Sequence, residues 1–162
     1  MFIGEHHQLA APGEAGKLWT HQLQLTIADL VGEAHDTHHP IASSLYYEDQ
    51  KPEALRAARA FVSERIPKYL GYFEDVLKAS GKNLYLTGRR LTYPDLSLFQ
   101  VVEGLSYAFP RSMARQKKEQ PRVFALRDKV QNRPRIAQYL ASERRLPFNE
   151  EGIFRHYTEL DG

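Results

Sequence analysis

The sequence predicts an all-α protein, on three observations. Apolar residues recur at helical spacing along most of the 162 residues, and no segment shows the strict alternation of a half-buried strand. Helix-ending residues, among them Pro40, Gly81 and Pro110, separate these apolar segments. The chain has no cysteine, which excludes disulfides, thiolate zinc sites and a cysteine nucleophile. A chain of this length can bury a core as a single domain without disulfides or a structural metal.

Two long amphipathic segments come first. The first predicted helix covers residues 14–38 and stops before Pro40, because the residue preceding a proline avoids helical geometry. The second covers residues 52–80 and ends at Gly81, a common residue just past a helix C-terminus. Pro67 lies inside it and removes one backbone hydrogen bond, so we predict a kink there.

The strongest local signal marks the start of the third predicted helix. Thr92 can cap it by accepting from the amide of Asp95, whose carboxylate can accept from the amide of Thr92 in return. Leu91 and Leu96 have the spacing of a hydrophobic staple, and Pro94 falls in the first turn, where its missing N–H costs nothing. The residues after this start are apolar on nearly every side, which predicts a buried helix.

The rest of the chain completes a bundle of about five main helices around the buried, capped one. Pro110 ends the capped helix, and a basic loop containing Arg111 and Lys118 is predicted to follow it in solvent. One further helix is predicted over residues 121–133, and another runs on to Arg145. The tail after it is expected to pack back as a short turn.

The buried helix with a capping box and staple at its start resembles the sixth helix of the glutathione S-transferase family's C-terminal domain. The segments LWTHQLQLTIADLVGEAHDTHHP, YLTGRRLTYPDLSLF and NRPRIAQYLASERRLPF resemble that all-helical domain in the same order. The resemblance covers residues 15–162, and residues 1–14 resemble the family's inter-domain linker. It implies that this domain supplies a hydrophobic electrophile pocket and half of a homodimer interface, for conjugation of glutathione to electrophiles in detoxification.

The resemblance also implies that the catalytic group lies elsewhere. In the family, a thioredoxin-like domain in front of this one holds most glutathione contacts and the group that activates the thiol. The 162 residues contain no strand that would belong to such a domain. We therefore expect no catalytic residue, no cofactor beyond glutathione as co-substrate, and no transferase activity from this chain alone. The chain is then a separately expressed domain, or its first half is missing from the gene model.

Asp29 is the first candidate binding residue. It stands within an apolar helical stretch, and a buried carboxylate needs a partner. One interpretation is an ion pair with Arg or Lys on a neighbouring helix. The resemblance implies another, in which Asp29 reaches over the dimer interface to the ammonium of glutathione's γ-glutamyl group.

The end of the same helix supplies further candidates. The resemblance implies that Gly32, His35 and His39 line the electrophile pocket and that Phe154 closes over it from the tail. His35 and His39 are also one helical turn apart, a spacing that can bind zinc, as in a metal-dependent hydrolase. No third ligand is evident and Pro40 breaks the turn, so we predict no metal. A tail that merely covers the core is the alternative for Phe154.

Composition and sequence pattern set the remaining expectations. The net charge is +2 with acids and bases interspersed, which does not suggest a nucleic acid partner. The N-terminus has no signal-peptide pattern and no stretch is apolar enough to span a bilayer, so we expect a cytoplasmic protein without a membrane partner. The alternative function is a non-catalytic helical protein–protein interaction module of the same fold.

Overall fold

The computed structural model describes residues 1–82 and 84–162, and these residues form helices and no strand. The all-α prediction is confirmed. None of the helices in the described parts is long and apolar enough to cross a membrane. The helices are α1 (Phe2–His6), α2 (Gly13–Asp36), α3 (Lys51–Ala60), α4 (Ile66–Ala79), α5 (Tyr93–Ala108), α6 (Pro110–Glu119), α7 (Pro121–Gln131) and α8 (Pro134–Leu140), with 3₁₀ turns at Tyr47–Gln50 and Thr158–Leu160.

The capped helix is the centre of the molecule. α5 packs against α2 on one side and against α6 and α7 on the other. Leu98, Val102 and Leu105 are almost completely buried, as the apolar sequence of this helix predicts. The residues that α2 buries, Leu23, Ile27 and Leu30, follow the helical period and face the same core.

The start of α5 is held by Asp95, which is completely buried. The capping box with Thr92 is present: the amide of Thr92 donates to Oδ2 of Asp95 at 2.7 Å. The hydroxyl of Thr92 also donates to Oδ2, and the amide of Leu86 donates to Oδ1 at 2.8 Å. Burial raises the pKa of Asp95, and these hydrogen bonds oppose that rise. Leu91 and Leu96 are both half-buried against the core, as staple residues would be.

Two more buried carboxylates cap helices from distant parts of the chain. Glu74 of α4 accepts from the amides of Arg122 and Val123, at 2.8 and 3.1 Å, at the start of α7. Asp161 accepts from the amide and the hydroxyl of Ser112, at 3.0 and 2.6 Å, at the start of α6. Both carboxylates satisfy amides that a helix start leaves without an intrahelical partner.

The predicted kink at Pro67 takes the form of a π-helical turn. Residues 51–79 are helical throughout, but Phe61–Arg65 forms a π turn between α3 and α4. Pro67 then falls in the first turn of α4, directly after the π turn. The extra residue of the π turn therefore accommodates the proline inside one long helical stretch.

Two predicted boundaries were wrong. The basic segment expected as a loop is helix α6, which Pro110 begins and in which Met113 and Gln116 are buried one turn apart. Its high charge lies on the outer face, so charge density alone did not indicate a loop. The last helix ends at Leu140 rather than at Arg145. α8 buries none of its residues, so little tertiary packing sustains a further turn.

The N-terminal segment packs on the start of α5. Gly4 is buried under the ring of Tyr93, and a Cβ there would lie only 2.8 Å from Cε1 of that ring. The amide of Tyr93 donates to the carbonyl oxygen of Leu9 at 2.8 Å. The assignment of residues 1–14 as an inter-domain linker stays a prediction.

Candidate functional site

A cavity of about 730 Å³ lies between α2, α5 and the C-terminal segment 145–154. Two helical faces and one irregular segment therefore form its walls. Its lining is mainly apolar, and the residues are Gln24, Ile27, Ala28, Val31, Leu96, Ser97, Gln100, Val101, Arg145, Pro147, Phe148, Asn149, Gly152, Ile153 and Phe154.

The two helical walls follow from the helical period. The α2 residues lie at positions i, i+3, i+4 and i+7, beginning at Gln24, so they share one face. Leu96 and Gln100 of α5 are likewise one turn apart. Oε1 of Gln24 is buried and has no hydrogen-bond partner among the described residues, which leaves an unpaired acceptor in an otherwise apolar wall.

The third wall depends on Phe154, which is only 9% exposed. Its ring lies directly on Gly104 of α5, where a Cβ would overlap it, with Cε2 of the ring only 2.6 Å away. Phe148 contacts the Phe154 ring edge-on at a centroid distance of 6.2 Å and stacks on Tyr107 at 5.2 Å. These contacts hold the C-terminal segment against α5, where it forms the third wall of the cavity.

A histidine anchors the same segment to the end of α2. Nε2 of His38 forms a hydrogen bond with the carbonyl oxygen of Ile153 at 2.9 Å, so this nitrogen carries the proton. His38 is 1% exposed, and burial lowers its pKa to about 4, with Arg155, His39 and His35 as further contributors. The rings of His35 and His39 lie 5.2 and 4.8 Å from that of His38. His38 is therefore a neutral donor at pH 7.

Stability is expected to fall on acidification because of His38. Below the usual histidine pKa of 6.5, this residue takes up a proton in the unfolded chain but stays neutral in the folded one until about pH 4. Protonation of His38 therefore stabilises the unfolded state relative to the folded one. The free energy of unfolding should drop by about 2 kcal/mol between pH 7 and pH 5. Urea unfolding of the natural chain and of His38→Gln, which keeps a donor but cannot titrate, measures this. An identical pH slope in both would contradict it.

The predicted pocket residues do not meet in one place. Phe154 lines the cavity between α2 and α5, whereas Gly32, His35 and His39 do not. Gly32 is exposed, with no atom within 4 Å of where its Cβ would be. His39 lines a second cavity of about 460 Å³, and its Nδ1 lies 3.1 Å from Nε2 of Gln50. The assignment of these three residues to an electrophile pocket stays a prediction.

The histidines at the end of α2 lie close together. The rings of His35 and His39 are 5.2 Å apart, as one helical turn predicts. No group of three or more His, Cys, Asp or Glu side chains in residues 1–82 and 84–162 is arranged to hold a metal ion.

Asp29 lies on the outer face of α2 and is exposed. It forms no ion pair with any described residue, so the expected pairing across helices is not found there. Leu18 and Leu25, which share this face, are 59% and 53% exposed. Two exposed leucines and the Asp29 carboxylate thus lie on the same face of α2.

Of the residues that shape the cavity, the sequence analysis predicted only Phe154, and three of those it missed show why. Gln24 could have been found, since it lies on the same face of the predicted helix as Ile27. Gly104 carries no local signal, because its role is to make room for a ring fifty positions later. Arg145 was assigned to a helix, and only the irregular path of the C-terminal segment places it at the cavity.

Residues 35–143 match the protein family described as "Glutathione S-transferase, C-terminal domain". The chain belongs to this family. The glutathione S-transferase of Plasmodium falciparum (isolate 3D7) is 32% identical over 89 residues, which is 52% of this chain and 40% of that protein. Glutathione S-transferase A3 of Mus musculus is 32% identical over 108 residues, 65% of this chain and 47% of that protein. The chain thus spans less than half the length of these glutathione S-transferases.

Several solved structures share the fold. Prostaglandin synthase D of Nilaparvata lugens superposes with a TM-score of 0.71 and 20% identity, over 90% of this chain and 66% of that one. A monomeric glutathione S-transferase of the hookworm Necator americanus superposes with a TM-score of 0.65 and 19% identity, over 91% of this chain and 67% of that one. In this chain, the α2 wall and the C-terminal wall of the cavity lie outside residues 35–143, so the family match does not itself include them.

Proposed function

We propose that this chain is the electrophile-binding half of a glutathione transferase, which conjugates glutathione to apolar electrophiles. The observation that carries the proposal is the cavity of about 730 Å³ between α2, α5 and the segment 145–154. Its volume is within the usual range for small-molecule sites, and its lining is apolar with a few polar groups, as such sites are.

The cavity lining supports a division of labour between two domains. Attack by glutathione needs its thiolate, which a donor or base within hydrogen-bond reach of the sulfur must favour. None of the lining residues is a carboxylate or a histidine that could act as a base toward the thiol. We propose that a thioredoxin-like domain supplies the thiol-activating group, while this chain binds and orients the electrophile.

The outer face of α2 is the proposed interface with a second copy. Exposed apolar side chains such as Leu18 and Leu25 are typical of a surface that another protein covers. Asp29 stands beside them without an ion-pair partner among the described residues, so its carboxylate is free to meet a cation. In the proposed homodimer, that cation is the ammonium of glutathione bound to the other copy.

Filling the cavity tests the proposed function. Ala28→Phe puts a ring into the α2 wall, and we expect it to weaken binding of chlorodinitrobenzene to the purified chain by about tenfold or more. Equilibrium dialysis measures the affinity, and circular dichroism checks folding. Ala15→Phe, the same change at an exposed site of α2 outside the cavity, should leave the affinity unchanged.

The same preparation tests the division of labour. With glutathione added, the chain alone should not conjugate chlorodinitrobenzene faster than the uncatalysed reaction, because no base for the thiol lines the cavity. Enzyme-level turnover by the isolated chain would contradict the proposed roles. Equal affinities of Ala28→Phe and Ala15→Phe would show that this cavity is not the electrophile site.

A further inference from the structure

The cavity contains one charged side chain, Arg145, on its C-terminal wall. Arg145 is half-buried and has no ion pair with any residue the structure describes. One of its nitrogens donates to the neighbouring carbonyl of Leu146, and the guanidinium lies 4.9 Å from the ring centroid of Phe148. The side chain is thus held in place by its own segment.

This arrangement leaves most N–H donors of Arg145 without a partner among the described residues. A guanidinium has five N–H donors in a planar fork, and only the bond to Leu146 uses one of them among the described residues. Stacking on Phe148 occupies a face of the group and not its N–H edges. A cation beside an apolar wall is less screened by water than one on an open surface, so it attracts an anion more strongly.

The charged residues that follow Arg145 in the sequence do not line its cavity. Arg155 donates to the carbonyl oxygens of Gly152 and Glu151, and it lines the second cavity rather than this one. Glu150 and Glu151 also line that second cavity. No carboxylate faces Arg145 from among the residues that line its own cavity.

We propose that the cavity selects apolar ligands that carry a carboxylate, which pairs with Arg145 while the hydrocarbon body lies against α2 and α5. A carboxylate matches the fork of a guanidinium through two parallel hydrogen bonds. This inference rests on the proposed function, because it names the substrate class of the same cavity. Arg145 is then a specificity-determining residue and takes no part in activating the thiol.

A charge-matched ligand pair tests the inference on the full 162-residue chain. Naphthylacetate and naphthylacetamide share the same ring system, and one ends in a charged carboxylate where the other ends in a neutral carboxamide. Isothermal titration should show that the carboxylate binds about tenfold more tightly than the amide, as one charge-assisted contact implies. The difference should narrow as ionic strength rises.

Variants of two arginines locate the effect. Arg145→Gln should abolish the preference for the carboxylate over the amide, and Arg145→Lys should keep part of that preference. Arg144→Gln is the matched control, because Arg144 is exposed, lies over Tyr139 and does not line the cavity. It should bind both ligands as the natural chain does.

The outcomes separate the two proposals. Equal affinity for carboxylate and amide, or a preference that survives in Arg145→Gln, would overturn the inference while the cavity remains an electrophile site. Loss of the preference in Arg144→Gln as well would also overturn it, since a general surface charge would explain the binding. Failure of the chain to bind either ligand would count against the cavity itself, and so against both.

Discussion

Asp95→Ala is expected to lower the free energy of unfolding by roughly 2–6 kcal/mol, since each buried N–H left unpaired costs about 1–3 kcal/mol. Two amides lose their acceptor, those of Thr92 and Leu86, which donate to Asp95 at 2.7 and 2.8 Å. Both hydrogen bonds are buried, so water does not readily replace the carboxylate. Urea unfolding monitored by circular dichroism measures the change.

A capping carboxylate at the surface is the control. Asp49 accepts from the amide of Tyr46 at 3.3 Å in the same reciprocal pattern, but in an exposed 3₁₀ turn. Asp49→Ala should therefore cost less than about 1 kcal/mol, because solvent hydrates the freed amide. If Asp95→Ala cost no more than Asp49→Ala, the buried network would not hold the start of α5 as described.

Gly104→Ala is expected to destabilise the chain by about 1–3 kcal/mol, the usual cost of overpacking a core. The added methyl would overlap the ring of Phe154, which forms the third wall of the cavity. The ring must move, and the segment that carries it must move with it. We therefore also expect weaker ligand binding in the cavity, measured by the same dialysis as for Ala28→Phe.

The same substitution elsewhere in a helix separates this clash from backbone effects. Gly32 lies inside α2 with nothing within 4 Å of its Cβ position, so Gly32→Ala should stabilise the chain by about 0.5–1 kcal/mol. Combining Gly104→Ala with Phe154→Leu should cost less than the sum of the two changes, since a smaller side chain relieves the overlap. Strict additivity would contradict a direct contact between them.

The elements that the sequence predicted correctly depend on local interactions. α5 is buried because its own residues are apolar on nearly every side. Its capping box forms between Thr92 and Asp95, three positions apart, so neither partner needs tertiary structure to find the other. α2 ends at Asp36, two residues before the predicted end, and Pro40 makes helical geometry unfavourable for the residue that precedes it.

The elements that the sequence mispredicted depend on burial. α6 is highly charged, yet Met113 and Gln116 face the core, and Asp161 caps its start from 49 residues away along the chain. α8 stops early because it buries none of its residues. Local composition carries no information about a capping residue such as Asp161, which is distant from α6 along the chain.

The sequence by itself determined that the chain is all-α, that α5 is the buried centre, and that the family is that of the glutathione S-transferases, because these depend on periodicity, caps and motif order. Only the tertiary structure decided the candidate site. Its walls come from residues 24–31, 96–101 and 145–154, which no local interaction relates to one another. They meet because Phe154 lies on Gly104 and His38 holds Ile153, contacts that exist only once the helices have packed.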